Sequence, residues 1–266
     1  MLANFHTHST FCDGKNSPRE IIESALNKGF SQIGFSGHGY TPFDLRYCMK
    51  ETSSYIAEIK RLKLEFKDKI EVYLGVEEDA FYPLNRNDFD YIIGSSHYFK
   101  VNEKYYPIDS NYDCFKRCLE VFNYDTILLA QTYYTSFVDY IEKRKPDIVG
   151  HFDLITKFDE IDKSLFLGDK KYNQIAEKFI EKVIKSECIF EVNTGAIARG
   201  LRSSVYPAEN LLYKIKKGDG KLILSSDSHA VDTLDFGFKD IEKYLKNVGF
   251  NNLYTLKGGK FIKYEI

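Results

Sequence analysis

Short apolar runs alternate with longer amphipathic segments from one end of the chain to the other. Residues 2–5 read as a strand. The stretch Ser17-Pro18-Arg19-Glu20 then opens a helix that runs to about Lys28. Ser17 is a good N-cap, proline suits the first helical position, and Gly29 stops the helix. By the same periodicities, strands are expected at 32–36, 69–76, 91–94, 147–150, 188–193 and 221–225. Two further short strands are expected at 253–256 and 261–264. Helices are expected at 52–67, 112–122, 125–143, 171–186, 208–217 and 234–247. Repeated strand–helix units imply parallel strands joined by right-handed crossovers. About seven such units in a chain of 266 residues point to a barrel more than to an open sheet. No linker, repeat or low-complexity tract divides the chain, so residues 1–266 are read as one domain.

Composition changes this picture little. Hydrophobic residues make up 43% and charged residues 29%, the balance of a soluble globular protein. A net charge of −2 supplies no overall field to hold nucleic acid or an anionic membrane. The longest apolar runs fall far short of the ~20 residues a membrane span needs, and the first residues lack the basic and apolar regions of a signal peptide. The five cysteines, Cys12, Cys48, Cys114, Cys118 and Cys188, are odd in number and scattered. That pattern suits reduced thiols in the cytoplasm. Cys114 and Cys118 lie one helical turn apart, a spacing open to metal binding, but no histidine is nearby and packing is the simpler reading.

The candidate chemistry lies in the histidines. In a parallel barrel, function collects at the C-terminal ends of the strands, and all six histidines follow that rule. His6 and His8 end the first strand and His38 follows the second. His97 and His151 follow later strands, and His229 closes the run after Asp227. Side chains alternate along a strand, so His6 and His8 share a side, as do Asp227 and His229. The same alternation sends Glu77 and Glu78, after the third strand, opposite ways. A single histidine at a strand end is ordinarily a half-buried, hydrogen-bonded residue, but that explanation would have to hold six times over. Imidazoles and carboxylates suit Zn, Mn or Fe, and a carboxylate can bridge two ions. Asp13 offers one more carboxylate, although Asp13-Gly14 reads equally as a turn. Of eight arginines, Arg199 and Arg202 follow the strand ending at Asn193. Their guanidinium forks match phosphate oxygens; the alternative is a solvated loop. Tyr98, Phe99, Tyr133 and Tyr206 are candidates for stacking on a substrate ring, or for packing.

In order along the chain, His6-Thr7-His8-Ser9, His38, Gly75-Val76-Glu77, Gly94-Ser95-Ser96-His97, Gly150-His151-Phe152-Asp153 and Ser226-Asp227-Ser228-His229 resemble the motifs of the PHP (polymerase and histidinol phosphatase) superfamily. Within it, Asn193-Thr194-Gly195, Arg199-Gly200-Leu201-Arg202 and Tyr206-Pro207 look like the substrate loop of the monofunctional histidinol-phosphatase branch. The resemblance implies a distorted (β/α)7 TIM-like barrel with two or three divalent ions at the strand ends. By position, His6, His8, Glu77 and Asp227 would hold one ion, and Glu77, His97 and His151 a second, with Glu77 bridging. His38 and His229 would hold a third. Several relatives carry a histidine where this chain has Asp13, so occupancy of the third site turns on that residue.

The implied reaction is hydrolysis of L-histidinol phosphate in histidine biosynthesis. Paired ions activate a bridging water at neutral pH and neutralise the phosphoryl oxygens. Asp227 would orient the nucleophile, and His229 or the third ion would serve the leaving group. Other readings are the same machinery on a nucleotide, sugar phosphate or phosphotyrosine, a non-catalytic metal-binding domain, and an amidohydrolase. The last would want a bridging carboxylated lysine where this chain offers Glu77.

Overall fold

The computed structural model describes residues 2–266. Seven parallel strands form a nearly closed barrel: β1 (Ala3–Asn4), β2 (Gln32–Phe35), β3 (Glu71–Asp79), β4 (Tyr91–Ser95), β7 (Ile148–Val149), β8 (Ile189–Asn193) and β9 (Lys221–Ser225), neighbours in that order. The intervening β5 (Tyr98–Val101) and β6 (Lys104–Pro107) make an antiparallel hairpin outside the barrel. The first and last strands meet only above their regular ends. There Thr7 pairs with Ser228, the His8 N–H donates to Ser228 O at 2.8 Å, and the Ser228 N–H donates to His6 O at 3.1 Å.

Helices α1 (Pro18–Asn27) and α2 (Thr52–Glu65) cover one side of the sheet, and α3 (Tyr112–Val121), α4 (Thr126–Arg144), α5 (Lys170–Ile184) and α7 (Glu209–Lys217) cover another. Ser17 caps α1 through a full capping box with Glu20. One large apolar cluster lies under α3, α4, α5 and α7, and a second packs α1 and α2 on β2 and β3. A third fills the barrel itself, built from Phe5, Tyr73, Tyr91, Ile93, Ile148, Ile189 and Ile223.

Tyr91 is the plug of that interior. Its hydroxyl donates to Phe5 O at 2.5 Å, and its ring occupies the space that side chains at positions 34 and 75 would need. A Cβ on Gly75 would lie 2.2 Å from the tyrosine ring, and one on Gly34 2.4 Å from the hydroxyl. Close approach fixes both glycines. At the N-terminal end, hairpin β10 (Asn252–Lys257) and β11 (Lys260–Glu265) closes the barrel with Leu256, while Thr255 donates to Gln32 Oε1 at 2.7 Å.

The expected strand–helix order is the observed one, with local differences. Strand β3 runs on to Asp79, carrying Glu77 and Glu78 within the ladder. The last helix, α8 (Phe238–Val248), starts later than position 234, because Val231–Thr233 forms a 3-10 turn and Gly237 adopts φ 74° before the helix begins. The hairpin β5–β6 and the short α6 (Gly195–Ala198) were not expected. All five cysteines are free, and the Cys118 thiol donates to Pro107 O. Among the described residues no helix is long and apolar enough to cross a membrane.

Candidate metal centre

Strand β3 sets the site's axis. Tyr73 and Gly75 face the barrel interior, so period-two alternation carries Glu77 inward at the C-terminal mouth. Five histidines converge on its carboxylate. Oε1 lies 2.9 Å from His151 Nε2 and 3.3 Å from His97 Nε2. Oε2 lies 2.9 Å from His38 Nδ1, 3.3 Å from His6 Nε2 and 3.6 Å from His8 Nε2. Asp227 Oδ1 sits 3.2 Å from His8 Nε2 and 3.6 Å from both His6 Nε2 and His229 Nδ1. Asp13 lies 3.3 Å from His229 Nε2, 3.5 Å from His8 Nδ1 and 3.7 Å from His38 Nε2.

Three sets of donor atoms gather within 4.8 Å: His6, His8 and Glu77; His38, Glu77 and His97; and His8, Asp13, His38 and His229. Asp13 is thus drawn into the side-chain cluster although it lies in a turn. The donor set fits divalent ions on a further observation. His6 Nε2, His8 Nε2 and Glu77 Oε2 are buried with no hydrogen-bond partner. Buried polar atoms are normally satisfied, and these three point at one another's neighbourhood as coordinating atoms do.

Electrostatics keeps the carboxylates charged. Burial opposes ionisation of Glu77, but His6, His97 and His38 outweigh it and hold its pKa well below the usual range. Asp227 is likewise buried and held well below by Arg199 first and then His6. Burial and the neighbouring His229 and His38 lower the pKa of His8, favouring the neutral ring a ligand requires.

Two residues to which the sequence assigned no site role turn out to orient the ligands. Glu191, fully buried on β8, takes His6 Nδ1 at 2.5 Å and accepts from the His151 N–H at 2.9 Å and Asn193 Nδ2 at 3.0 Å. This leaves His6 Nε2 facing the cluster, the arrangement by which outer carboxylates fix ligand tautomers. Asp79 accepts from the His97 N–H at 3.2 Å and faces His97 Nδ1 at 3.5 Å. A charged residue in the middle of an apolar parallel strand (Ile189-Phe190-Glu191-Val192) was the signal for the first. Asp227 leaves β9 with φ 48°, a left-handed conformation that non-glycine residues adopt under constraint.

A cavity of about 270 Å³ opens above the cluster, lined by Asp13, His38, His97, His151, Asp227 and His229 among others. Arg199 also lines it, donating to Asp227 Oδ2 and to Asp227 O, both at 3.0 Å. Arg202, expected beside it, does not reach the cavity. Its two Nη groups donate to Thr156 and Ser204 and the guanidinium lies over the Tyr206 ring at 4.4 Å, an internal role that leaves Nε buried without a partner. The second cation at the cavity is Lys157, from the 3-10 turn after His151. Of the four aromatic stacking candidates only Tyr98 lines the cavity; Phe99, Tyr133 and Tyr206 are buried in the large apolar cluster. Glu78 points outward from β3, to Arg144 and Tyr140 on α4.

A parallel barrel with a carboxylate-bridged histidine cluster at its mouth defines a class of metal-dependent hydrolase. The family model of the PHP domain matches residues 4–195, and the chain belongs to that family. It is 27% identical to a probable histidinol-phosphatase of Schizosaccharomyces pombe over 97% of this chain and 90% of that one. It is 26% identical to the histidinol-phosphatase of Lactococcus lactis subsp. lactis over 98% and 96%. The crystal structure of histidinol phosphate phosphatase from Lactococcus lactis, complexed with zinc, L-histidinol and phosphate, superposes with a TM-score of 0.71 at 21% identity, covering 98% of each chain. That likeness supports the barrel.

Proposed function

We propose that this chain, as one domain over residues 1–266, is a phosphoric monoester hydrolase that converts L-histidinol phosphate to L-histidinol and phosphate. We place it in the cytoplasm, acting in histidine biosynthesis on a small molecule and not on nucleic acid. The observation that carries the reading is the cluster around Glu77, with its buried and unpartnered donor atoms. Curated relatives named histidinol-phosphatase along almost the whole chain support the substrate.

Two or three divalent ions, of zinc, manganese or iron, are the cofactors of this reading. His6, His8, Glu77 and Asp227 hold one ion, and Glu77, His97 and His151 a second. Asp13, His38 and His229 hold a third. Such ions activate water at neutral pH and neutralise charge on phosphoryl oxygens. The chain's own residues do the rest. Glu191 holds His6 with Nε2 turned inward. Asp227 orients the attacking water and keeps Arg199 over the cavity, where its remaining N–H groups meet a phosphoryl oxygen. Lys157 adds a second positive charge at the same opening. Where no third ion is held there, His229, a quarter exposed at the cavity, gives a proton to the leaving oxygen.

Phosphate release from L-histidinol phosphate, measured beside a nucleotide, a sugar phosphate, phosphotyrosine and a generic aryl phosphate, tests the substrate. The expectation is a clear kcat/KM advantage for L-histidinol phosphate, and parity with the generic ester would overturn it. Asp227→Asn is expected to abolish hydrolysis while circular dichroism stays unchanged.

A further inference from the structure

Hairpin β5–β6 begins at Tyr98, directly after His97, and its register returns the chain to the same place. Tyr98 pairs with Pro107, and the Ile108 N–H donates to His97 O at 2.9 Å. The next residue, Asp109, is thereby delivered to the cavity wall beside His97 and His151. Ser110 is pinned by a 2.6 Å hydrogen bond with the Tyr47 hydroxyl, so the segment carrying Asp109 is anchored on both sides.

The cavity carboxylates differ in how far they are committed. Glu77, Asp13 and Asp227 are engaged by histidines, and Asp227 by Arg199 as well. Asp79 accepts from the N–H groups of His97 and Phe81. Asp109 has one loose partner: Lys157 Nζ lies 3.5 Å from Oδ2 and makes its good bond, 2.6 Å, to the Asp109 main-chain oxygen. Among the described residues lining the cavity it is the carboxylate left open, with 24% of its side chain exposed, and no metal-binding group includes it.

We propose that Asp109 receives the substrate's ammonium group, so that the cavity selects phosphate esters bearing a primary amine on the carbon next to the ester CH2. This rests on the histidinol-phosphatase reading and deepens it. The phosphoryl end lies with Arg199, Lys157 and the histidine cluster, and a carboxylate set beside that cationic opening matches a zwitterion whose ammonium sits two carbons from the ester oxygen. An ammonium–carboxylate bond formed in a sheltered cavity is charge-assisted and directional.

The test is kcat/KM for the wild type and for Asp109→Asn on L-histidinol phosphate and on its deamino analogue, 3-(imidazol-4-yl)propyl phosphate. The wild type is expected to prefer the amine-bearing ester by about 10- to 100-fold, mostly through KM, as loss of a charge-assisted bond implies. In Asp109→Asn that ratio should collapse to within a few-fold of one, and Asp109→Glu should restore part of it. Equal losses on both esters, or a preference retained by the asparagine variant, would overturn the assignment while leaving the substrate reading intact. Wild-type enzyme indifferent to the amine overturns it without any variant. Failure of the substrate reading is distinct: there, L-histidinol phosphate is no better than a generic aryl phosphate.

Discussion

On the inner side of β3 Glu77 is ringed by five histidines; one residue on, on the outer side, Glu78 is held by Arg144. Both carboxylates are buried. The Arg144 fork grips Glu78 at 2.7 Å from both Nε and Nη2, Tyr140 donates at 2.7 Å, and the Leu84 N–H completes the set at 2.7 Å. Every lone pair there has a permanent donor. Glu77 is paired with rings that become ligands only when neutral, and its Oε2 carries no hydrogen bond. A closed set of donors marks a carboxylate that holds the fold together, and an open one ringed by imidazoles marks one waiting for a cation.

Loss of the Glu77 carboxylate carries the largest expected effect. Replacing it with alanine removes the shared carboxylate, and metal ions supply several kcal/mol of transition-state stabilisation. Phosphate release should fall on the order of 10³-fold, with bound metal lost on dialysis and secondary structure kept. Glu78→Ala should do the reverse. It strands a partly buried arginine, a loss that costs about 3–5 kcal/mol and lowers Tm by roughly 6–20 °C, while kcat of the folded fraction stays near wild type.

Asp159 sharpens the contrast with the smallest effect. It too has a buried oxygen without a partner, but burial pushes its pKa up, to about 7, with Arg202 only partly offsetting. Surroundings rich in positive partners pull Glu77 the other way, so an unpartnered oxygen alone does not signal a ligand. A carboxyl raised in the folded state stabilises it below the unfolded pKa near 4 and loses that contribution as pH climbs to about 7. Thermal melts of wild type and Asp159→Asn should therefore diverge by a few degrees between pH 5 and pH 8, with the variant gaining as pH rises. Parallel curves would show that Asp159 is not titrating in that window.

Much of the barrel was legible because its strands read as short apolar runs and each candidate ligand stands where a run ends. Alternation put Glu77 and Glu78 on opposite faces, and the family resemblance of Gly75-Val76-Glu77 favoured Glu77 as the ligand. What was missed follows from the same rules. Hairpin β5–β6 turns at Asn102-Glu103, both in the left-handed region. That two-residue loop is most recognisable when glycine occupies the second place, and here glutamate does. Asp109 was invisible with it, since only the hairpin's return brings it to His97. Glu191 hid inside an apolar strand, and its role depends on a histidine at the far end of the sequence. Arg202 was expected at the phosphate because, like Arg199, it follows the strand ending at Asn193. The loop between them turns at Gly200, φ 67°, and sends the two guanidinium groups to different places.

The seam between β1 and β9 has a consequence for how the protein is made. His6 and His8 leave the ribosome first, while Asp227 and His229 emerge only once β9 has been synthesised. A nascent chain that ends at β8 owns Glu77, His97 and His151 but not the donors on the far side of the seam. Ions shared across that seam would act as a clasp between the first and last strands, closing a very long loop. Loading of the ions shared across the seam is then a late event, and a chain truncated before β9 would emerge without them.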